Sequence, residues 1–270
     1  MGQRLLLICL TALCLQAAPP AFTKVGKGPG ILLIHGFGGN KEVWTEVAAE
    51  LARDHTVLSV DLPGSGGTPG PAVVEGRADF GAVAKDLAKL VRQEGLVPCL
   101  VVGHSMGGPV GARAVLEDPT AFRGLLLVDS FLSALPAAYL EPTAVAMGSD
   151  PGATLTVFLG LMTSSQEQTK RVVAEALRIP PAALQAYLRG MCGDILGGRH
   201  AQLRLPVLDL ASAPLEPDPA KEAASLAIHG FSLLPAFRII HVPATKHWIM
   251  WDTPQTFHTA LRAFEAGLGR

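Results

Sequence analysis

The chain has 270 residues, 49% of them hydrophobic and 17% charged, which is too apolar for a disordered segment. It is long enough to bury one large core without disulfides or a structural metal. With 22 Lys and Arg against 23 Asp and Glu, no overall field exists to hold a polyanion, and a nucleic-acid partner is not expected.

In chain order, the first feature reads as an address. Arg4 precedes an apolar run over residues 5–15, the length of a signal-peptide core and shorter than the roughly 20 residues of a membrane span. Residues 1–17 are therefore expected to be a signal peptide cut after Ala17, with a retained anchor as the alternative, and the location is expected to be periplasmic or secreted. No later segment is apolar for long enough to span a bilayer after that cut. Cys9 and Cys14 would leave with the signal. Of the remaining two cysteines, Cys99 opens an apolar run and is expected to be a small buried hydrophobe rather than half of a disulfide with Cys192.

A strand is predicted over residues 31–34, running into the loop His35-Gly36-Phe37-Gly38-Gly39. A helix follows over 41–53, a strand over 56–60 and a helix over 80–94. Next comes a strand over 100–102, entering Gly103-His104-Ser105-Met106-Gly107, then a helix over 106–117 and a strand over 125–128. Residues 131–204 carry helical patterns broken by Pro and Gly, with no convincing strand, and are read as a helical insertion. Its Phe131, Tyr139, Met147, Phe158, Met162, Tyr187 and Met191 either line an apolar pocket or form the insertion's own core. Strands over 207–210 and 238–242 and a helix over 253–264 complete the chain. Short, almost wholly apolar strands alternating with helices predict an α/β fold, a mostly parallel sheet with helices on both faces.

Three stretches carry chemistry. Gly103-His104-Ser105-Met106-Gly107 places a serine at a tight turn between strand and helix, which projects its hydroxyl and needs glycines nearby so that the backbones can approach. The N-terminus of the following helix aims N–H groups at the same spot. In the glycine-rich loop at residues 35–39 the backbone N–H of Phe37 is the natural second donor, beside that of Met106, for an oxyanion; His35 is expected to brace this loop. A serine needs an imidazole to take its proton, and His247, after the last strand, is the best placed of eight histidines. His104 is expected to point elsewhere and His241 to lie within a strand. His55, His200, His229 and His258 are expected to be solvated.

These stretches, with Asp61-Leu-Pro-Gly-Ser-Gly-Gly-Thr68, Leu125-Leu-Leu-Val-Asp129 and the run from His247 to Phe257, resemble the α/β-hydrolase superfamily over residues 24–268. The resemblance implies Ser105 as nucleophile, His247 as general base and then acid, Phe37 and Met106 as the oxyanion hole, and residues 131–204 as a lid. It also implies a catalytic acid, whose usual Gly-x-x-Asp motif is missing after the strand at 207–210; Ala213 or Leu215 falls at that place. Asp129, at the end of the preceding strand, is the expected acid, with Glu216, Asp218 or no acid as alternatives. Asp209 lies inside a strand and is expected to be less able to reach the histidine. Lys246 stands where the family commonly has glycine, and is expected at the pocket rim or depressing the pKa of His247.

A serine nucleophile argues against the dehalogenases and epoxide hydrolases of this fold, which work through a carboxylate. The expected function is hydrolysis of small-molecule carboxylic esters with hydrophobic acyl groups through an acyl-enzyme, with no metal or cofactor needed. A carbon–carbon bond hydrolase, an acyltransferase and a non-catalytic binding protein on the same scaffold are the alternatives.

Overall fold

A computed structural model describes residues 19–71, 73–212 and 219–268, so the signal segment 1–17 and the alternative acids Glu216 and Asp218 lie outside the described residues. The chain opens with β1 (Phe22–Val25), β2 (Gly30–Ile34), a 3₁₀ turn leading into α1 (Thr45–Leu51), and β3 (Thr56–Val60). A small hairpin of β4 (Val73–Val74) and β5 (Arg77–Ala78) precedes α2 (Phe80–Gln93), β6 (Cys99–His104), α3 (Gly107–Glu117) and β7 (Phe122–Val128). The insertion is helical, as expected: α4 (Ala137–Ser149), α5 (Pro151–Gly160), α6 (Gln166–Ala176) and α7 (Pro181–Met191). The chain then returns through β8 (Val207–Ser212), α8 (Pro219–Ile228), β9 (Arg238–Val242), α9 (Ile249–Asp252) and α10 (Pro254–Gly267).

Seven strands form one sheet in the order β1-β3-β2-β6-β7-β8-β9, parallel except for β1, which pairs antiparallel with β3 at the edge. Every residue of β2 and β6 is buried, which requires both faces of the sheet to be covered, because successive side chains point to opposite sides. The covering helices show why their sequences suit the role. In α2, Phe80, Val83, Ala84, Leu87 and Val91 form the buried stripe, and Asp79 caps the helix by accepting from the Ala82 N–H at 3.0 Å.

Two histidines expected in solvent are buried. His55 bonds Glu265 on α10 at 2.7 Å and Asp54 at 2.7 Å, while Arg123 of β7 reaches the same Glu265, so this cluster ties the last helix to the sheet. His200 donates to the Leu132 carbonyl at 2.9 Å and is 5% exposed. Sequence position does not reveal such partners; burial without them would carry a desolvation cost. Cys99 is buried and Cys192 half-buried, and both are free thiols. Burial pushes the Cys99 thiol up to about 12.

Candidate active site

Strand register brings the chemistry together. Ile34 of β2 pairs with Gly103 of β6, His104 of β6 pairs with Val128 of β7, Val128 with Leu210 of β8, and Ser212 of β8 with Val242 of β9. The segments that leave the carboxyl ends of four adjacent strands and of β9 therefore emerge side by side, the usual place for a site in an open parallel sheet.

Ser105 sits in the turn between β6 and α3 with φ of 51°, a left-handed conformation that a residue with a Cβ rarely adopts. Surrounding structure over-determines it: its N–H donates to the Val128 carbonyl at 3.0 Å, and its own carbonyl accepts from Ser130 Oγ at 2.7 Å and from the Gly108 N–H at 2.9 Å. The turn is possible only because a Cβ at Gly103 would meet the Gly107 carbonyl oxygen at 2.5 Å, and one at Gly107 would meet the Ile34 carbonyl oxygen at 2.4 Å. The backbone N–H groups of Phe37 and Met106 have no acceptor among the described residues, although both residues are buried. Two N–H groups without a protein acceptor beside one serine are free to donate to an oxygen.

Asp129 also has a positive φ, 48°, at the end of β7. Its Oδ1 accepts from the Ser212 N–H at 2.8 Å and its Oδ2 accepts from Nδ1 of His247 at 2.6 Å. Burial pushes its pKa up, but the hydrogen bond and charge of His247 and the Ser212 amide outweigh this and hold the carboxyl below its ordinary value. With Nδ1–H committed to Asp129, the other ring nitrogen of a neutral His247 carries a lone pair. His247 is further fixed by its N–H to the Met162 carbonyl at 3.1 Å, a direct tie to the helical insertion. No hydrogen bond joins Ser105 to His247; such bonds commonly tighten only around a bound substrate.

The two remaining histidines of this cluster act as braces. His35 donates from Nδ1 to the Gly36 carbonyl at 2.8 Å and accepts the Leu62 N–H on Nε2 at 2.9 Å. Burial pulls its pKa down to about 4, so it is neutral and shapes the loop carrying Phe37. His104, contrary to the sequence expectation, turns toward the site: it donates to the His247 carbonyl at 3.0 Å, and their rings lie 4.6 Å apart. Burial, then the charge of His247, holds it well below the usual histidine range.

Ser105, Asp129 and His247 face one cavity of about 230 Å³. The insertion contributes Phe131, Leu135, Leu140, Phe158, Leu159, Met162 and Met191 to its wall. Tyr139, Met147 and Tyr187 do not line it: Tyr139 is exposed, and Met147 and Tyr187 are buried in the core shared with the rest of the fold, Tyr187 packing against Phe80 with its Oη donating to the Pro63 carbonyl at 2.7 Å. More of the wall comes from β8, α8, the 3₁₀ turn that follows it and β9, through Ala211, Leu226, Phe231 and Ile239. Lys246 is exposed and is not among the lining residues; its backbone N–H donates to Asp252 at 2.8 Å.

A family model described as alpha/beta hydrolase fold matches residues 29–161, which span β2 to the insertion and include Ser105 and Asp129. An esterase from Thermogutta terrifontis superposes with a TM-score of 0.77 over 94% of this chain and 100% of its own, at 21% identity. The chain belongs to the α/β-hydrolase superfamily. In sequence it is 27% identical over 267 residues to the mouse sn-1-specific diacylglycerol lipase ABHD11, covering 88% of this chain and 81% of that one. It is 28% identical over 259 residues to a pimeloyl-[acyl-carrier protein] methyl ester esterase of Aeromonas salmonicida, covering 89% of this chain and 97% of that one. These relatives support hydrolase activity.

For an α/β hydrolase, two cavity residues escaped the sequence reading. His104 was discounted because it adjoins the serine, yet the sharp turn at Ser105 swings the two side chains to different parts of one site. Asp209 lines the cavity from the middle of β8 without reaching His247. The signal was present in its neighbours: an aspartate inside an otherwise apolar buried strand is anomalous, because an unpaired buried carboxyl is costly.

Proposed function

We propose that this hydrolase is a serine carboxylesterase acting on small-molecule esters with hydrophobic acyl groups. The reading is carried by one observation: Asp129 holds His247 through Nδ1 on the same cavity that receives Ser105 from a strained turn. Ser105 Oγ adds to the acyl carbon while its proton passes to Nε2 of His247, and the carbonyl oxygen becomes an oxyanion held by the N–H groups of Phe37 and Met106. Collapse breaks the ester C–O bond, and His247 returns the proton to the departing oxygen, releasing an alcohol. Water then adds to the acyl-enzyme, giving its proton to Nε2, and a second collapse frees the acid and restores Ser105. Asp129 stays ionised throughout, fixing the tautomer and stabilising the imidazolium.

Ester substrates are named for both curated relatives, which supports acyl transfer to water. The apolar wall contributed by α4–α7 supports a hydrophobic acyl group and a lid role for the insertion. The apolar run over residues 5–15 supports an exported protein from which residues 1–17 are removed as a signal.

The test is hydrolysis of p-nitrophenyl esters of increasing acyl length, with a Ser105→Ala variant alongside. Turnover that disappears in the variant is expected, with the preferred length reporting the depth of the cavity. A folded protein that turns over none of these esters would refute the proposal in favour of carbon–carbon bond cleavage, acyl transfer to another acceptor, or ligand binding alone.

A further inference from the structure

His247 is held by the helical insertion twice, and the second hold runs through a residue that the proposed reaction leaves unused. Directly, the Met162 carbonyl, in the turn between α5 and α6, accepts from the His247 N–H at 3.1 Å. Indirectly, Asp252 Oδ2 accepts from the Lys246 N–H at 2.8 Å, while Oδ1 of the same carboxylate accepts from Ser164 Oγ at 2.7 Å and from Gln168 Nε2 at 3.0 Å. One side chain thus joins the amide that precedes His247 to the start of α6. A carboxylate only accepts, and has room for several donors, which is what a residue must offer where a hydroxyl, a side-chain amide and a backbone N–H from two segments converge.

The platform under Asp252 is anchored to the core. Asp252 closes α9, whose Ile249 and Met250 are buried, and its own N–H donates to the Trp248 carbonyl at 3.0 Å. The neighbouring Trp251 donates from Nε1 to the Val43 carbonyl at 3.0 Å. α6 leans on this platform once more: the Arg171 guanidinium lies 4.1 Å from the Trp251 ring centroid, and Gln168 and Arg171, three apart, share one face of the helix.

The ring of His247 has one hydrogen bond of its own, from Nδ1 to Asp129, so the direction of Nε2 follows from where the backbone at residues 246 and 247 is held. Its carbonyl is fixed by His104 at 3.0 Å, and its N–H and the amide before it by the insertion and Asp252. We propose that Asp252 is a positioning residue: it clamps the insertion to the backbone before His247, so that Nε2 is aimed at Ser105 only while the turn between α5 and α6 is seated against α9. The inference rests on the reading of His247 as the base of Ser105 given above. Met162 also lines the cavity, as do Phe158 and Leu159, so the wall that encloses a substrate and the placement of the base are set by one contact. A displacement of about 1 Å in a reacting group costs about 10²-fold in rate, so partial release of this clamp reaches turnover without touching substrate.

The experiment compares kcat and KM for the preferred p-nitrophenyl ester, together with the ring-nitrogen NMR shifts of His247, in wild type, Asp252→Asn, Asp252→Glu and the double variant Ser164→Ala/Gln168→Ala. Asparagine keeps the size but turns one acceptor into a donor, so it serves either Lys246 or the insertion and not both. The double variant cuts only the insertion's side and leaves every charge in place. In Asp252→Asn and in the double variant kcat is expected to fall about tenfold or more with KM within about twofold, and the His247 ring shifts are expected to move. Asp252→Glu, which keeps both acceptors, is expected to recover most of kcat. Ser164 is exposed and Gln168 half-buried, so the double variant carries the comparison should Asp252→Asn fail to fold. A kcat within about twofold of wild type in the double variant, an effect on KM alone, or unmoved ring shifts overturns the inference. Ser105-dependent turnover beside such a result would leave the esterase reading standing and remove only the role of Asp252. If wild type cleaves no ester, that reading falls, and the ring shifts alone decide the clamp: moved in both variants they support it, unmoved they overturn it.

Discussion

His35 makes the loop under Phe37 sensitive to acid in a way that can be measured. Its Nε2 must be unprotonated to accept the Leu62 N–H, and its Nδ1–H must donate to Gly36. The folded pKa is about 4, against an ordinary value of 6.5. Because the folded value is depressed, the unfolded chain binds the proton first. The stability contributed by neutral His35 is therefore complete above the unfolded value, falls as pH drops through 6.5, and is gone below the folded value. The whole effect is about 3 kcal/mol, of which about 2 kcal/mol is lost between about pH 7.5 and pH 5. Urea denaturation at these two pH values, for wild type and for His35→Gln, isolates it: glutamine can accept from Leu62 but does not titrate. His104 shifts in the same direction but is present in both proteins and cancels. The difference in pH dependence between the two should be about 2 kcal/mol. If His35→Gln loses as much stability as wild type over this range, the argument that a neutral, buried His35 braces the loop is refuted.

Asp129→Asn is expected to lower kcat by about 10³–10⁴ while leaving the fold intact, as in other triads whose histidine loses its orienting carboxylate; a loss under about tenfold together with a severe effect of Glu216→Gln would reassign the acid. Gly103→Ala pushes a methyl to 2.5 Å from the Gly107 carbonyl oxygen, and backbone atoms there cannot yield, so a destabilisation of about 3 kcal/mol and a matching fall in melting temperature are expected. Export of the full chain should yield a mature protein whose N-terminal sequencing begins at Ala18; an intact Met1 after membrane extraction would establish the retained anchor instead.

The strands of the sheet centre were legible because they are covered on both faces and read as short apolar runs: β3 matches its expected range, and β2, β6, β7 and β8 extend theirs by a few residues at most; β9, a partly exposed strand at the sheet edge, also matches its expected range. The edge strand β1 was missed because most of its residues are exposed, so neither hydrophobicity nor alternation marks it. The helix α8, with Lys221 and Glu222 among alanines, carried too weak an apolar stripe to be read. Within the site, Ser105, the loop at residues 35–39 and His247 were visible because their chemistry demands glycines and strand ends. Asp129 followed from the absence of the usual motif, and only the fold sets it beside His247. The expectation of solvated His55 and His200 failed for a simple reason: their partners are distant in sequence, Glu265 and Leu132, and no local pattern announces such pairs.

The hydrogen bond from His247 to Asp129 joins residues separated by the whole helical insertion and the last two strands. A growing or refolding chain can therefore complete β2, β6 and the turn at Ser105 and still lack any means of activating the hydroxyl. His247 arrives only when β9 has docked at the sheet edge, and it is then held by a carbonyl of the insertion. Catalytic competence thus coincides with the final, slowest kind of pairing in such a topology, the non-local parallel one. Recovery of turnover in a refolding experiment would time the closure of the whole domain, and no N-terminal fragment of the chain would hydrolyse anything on its own.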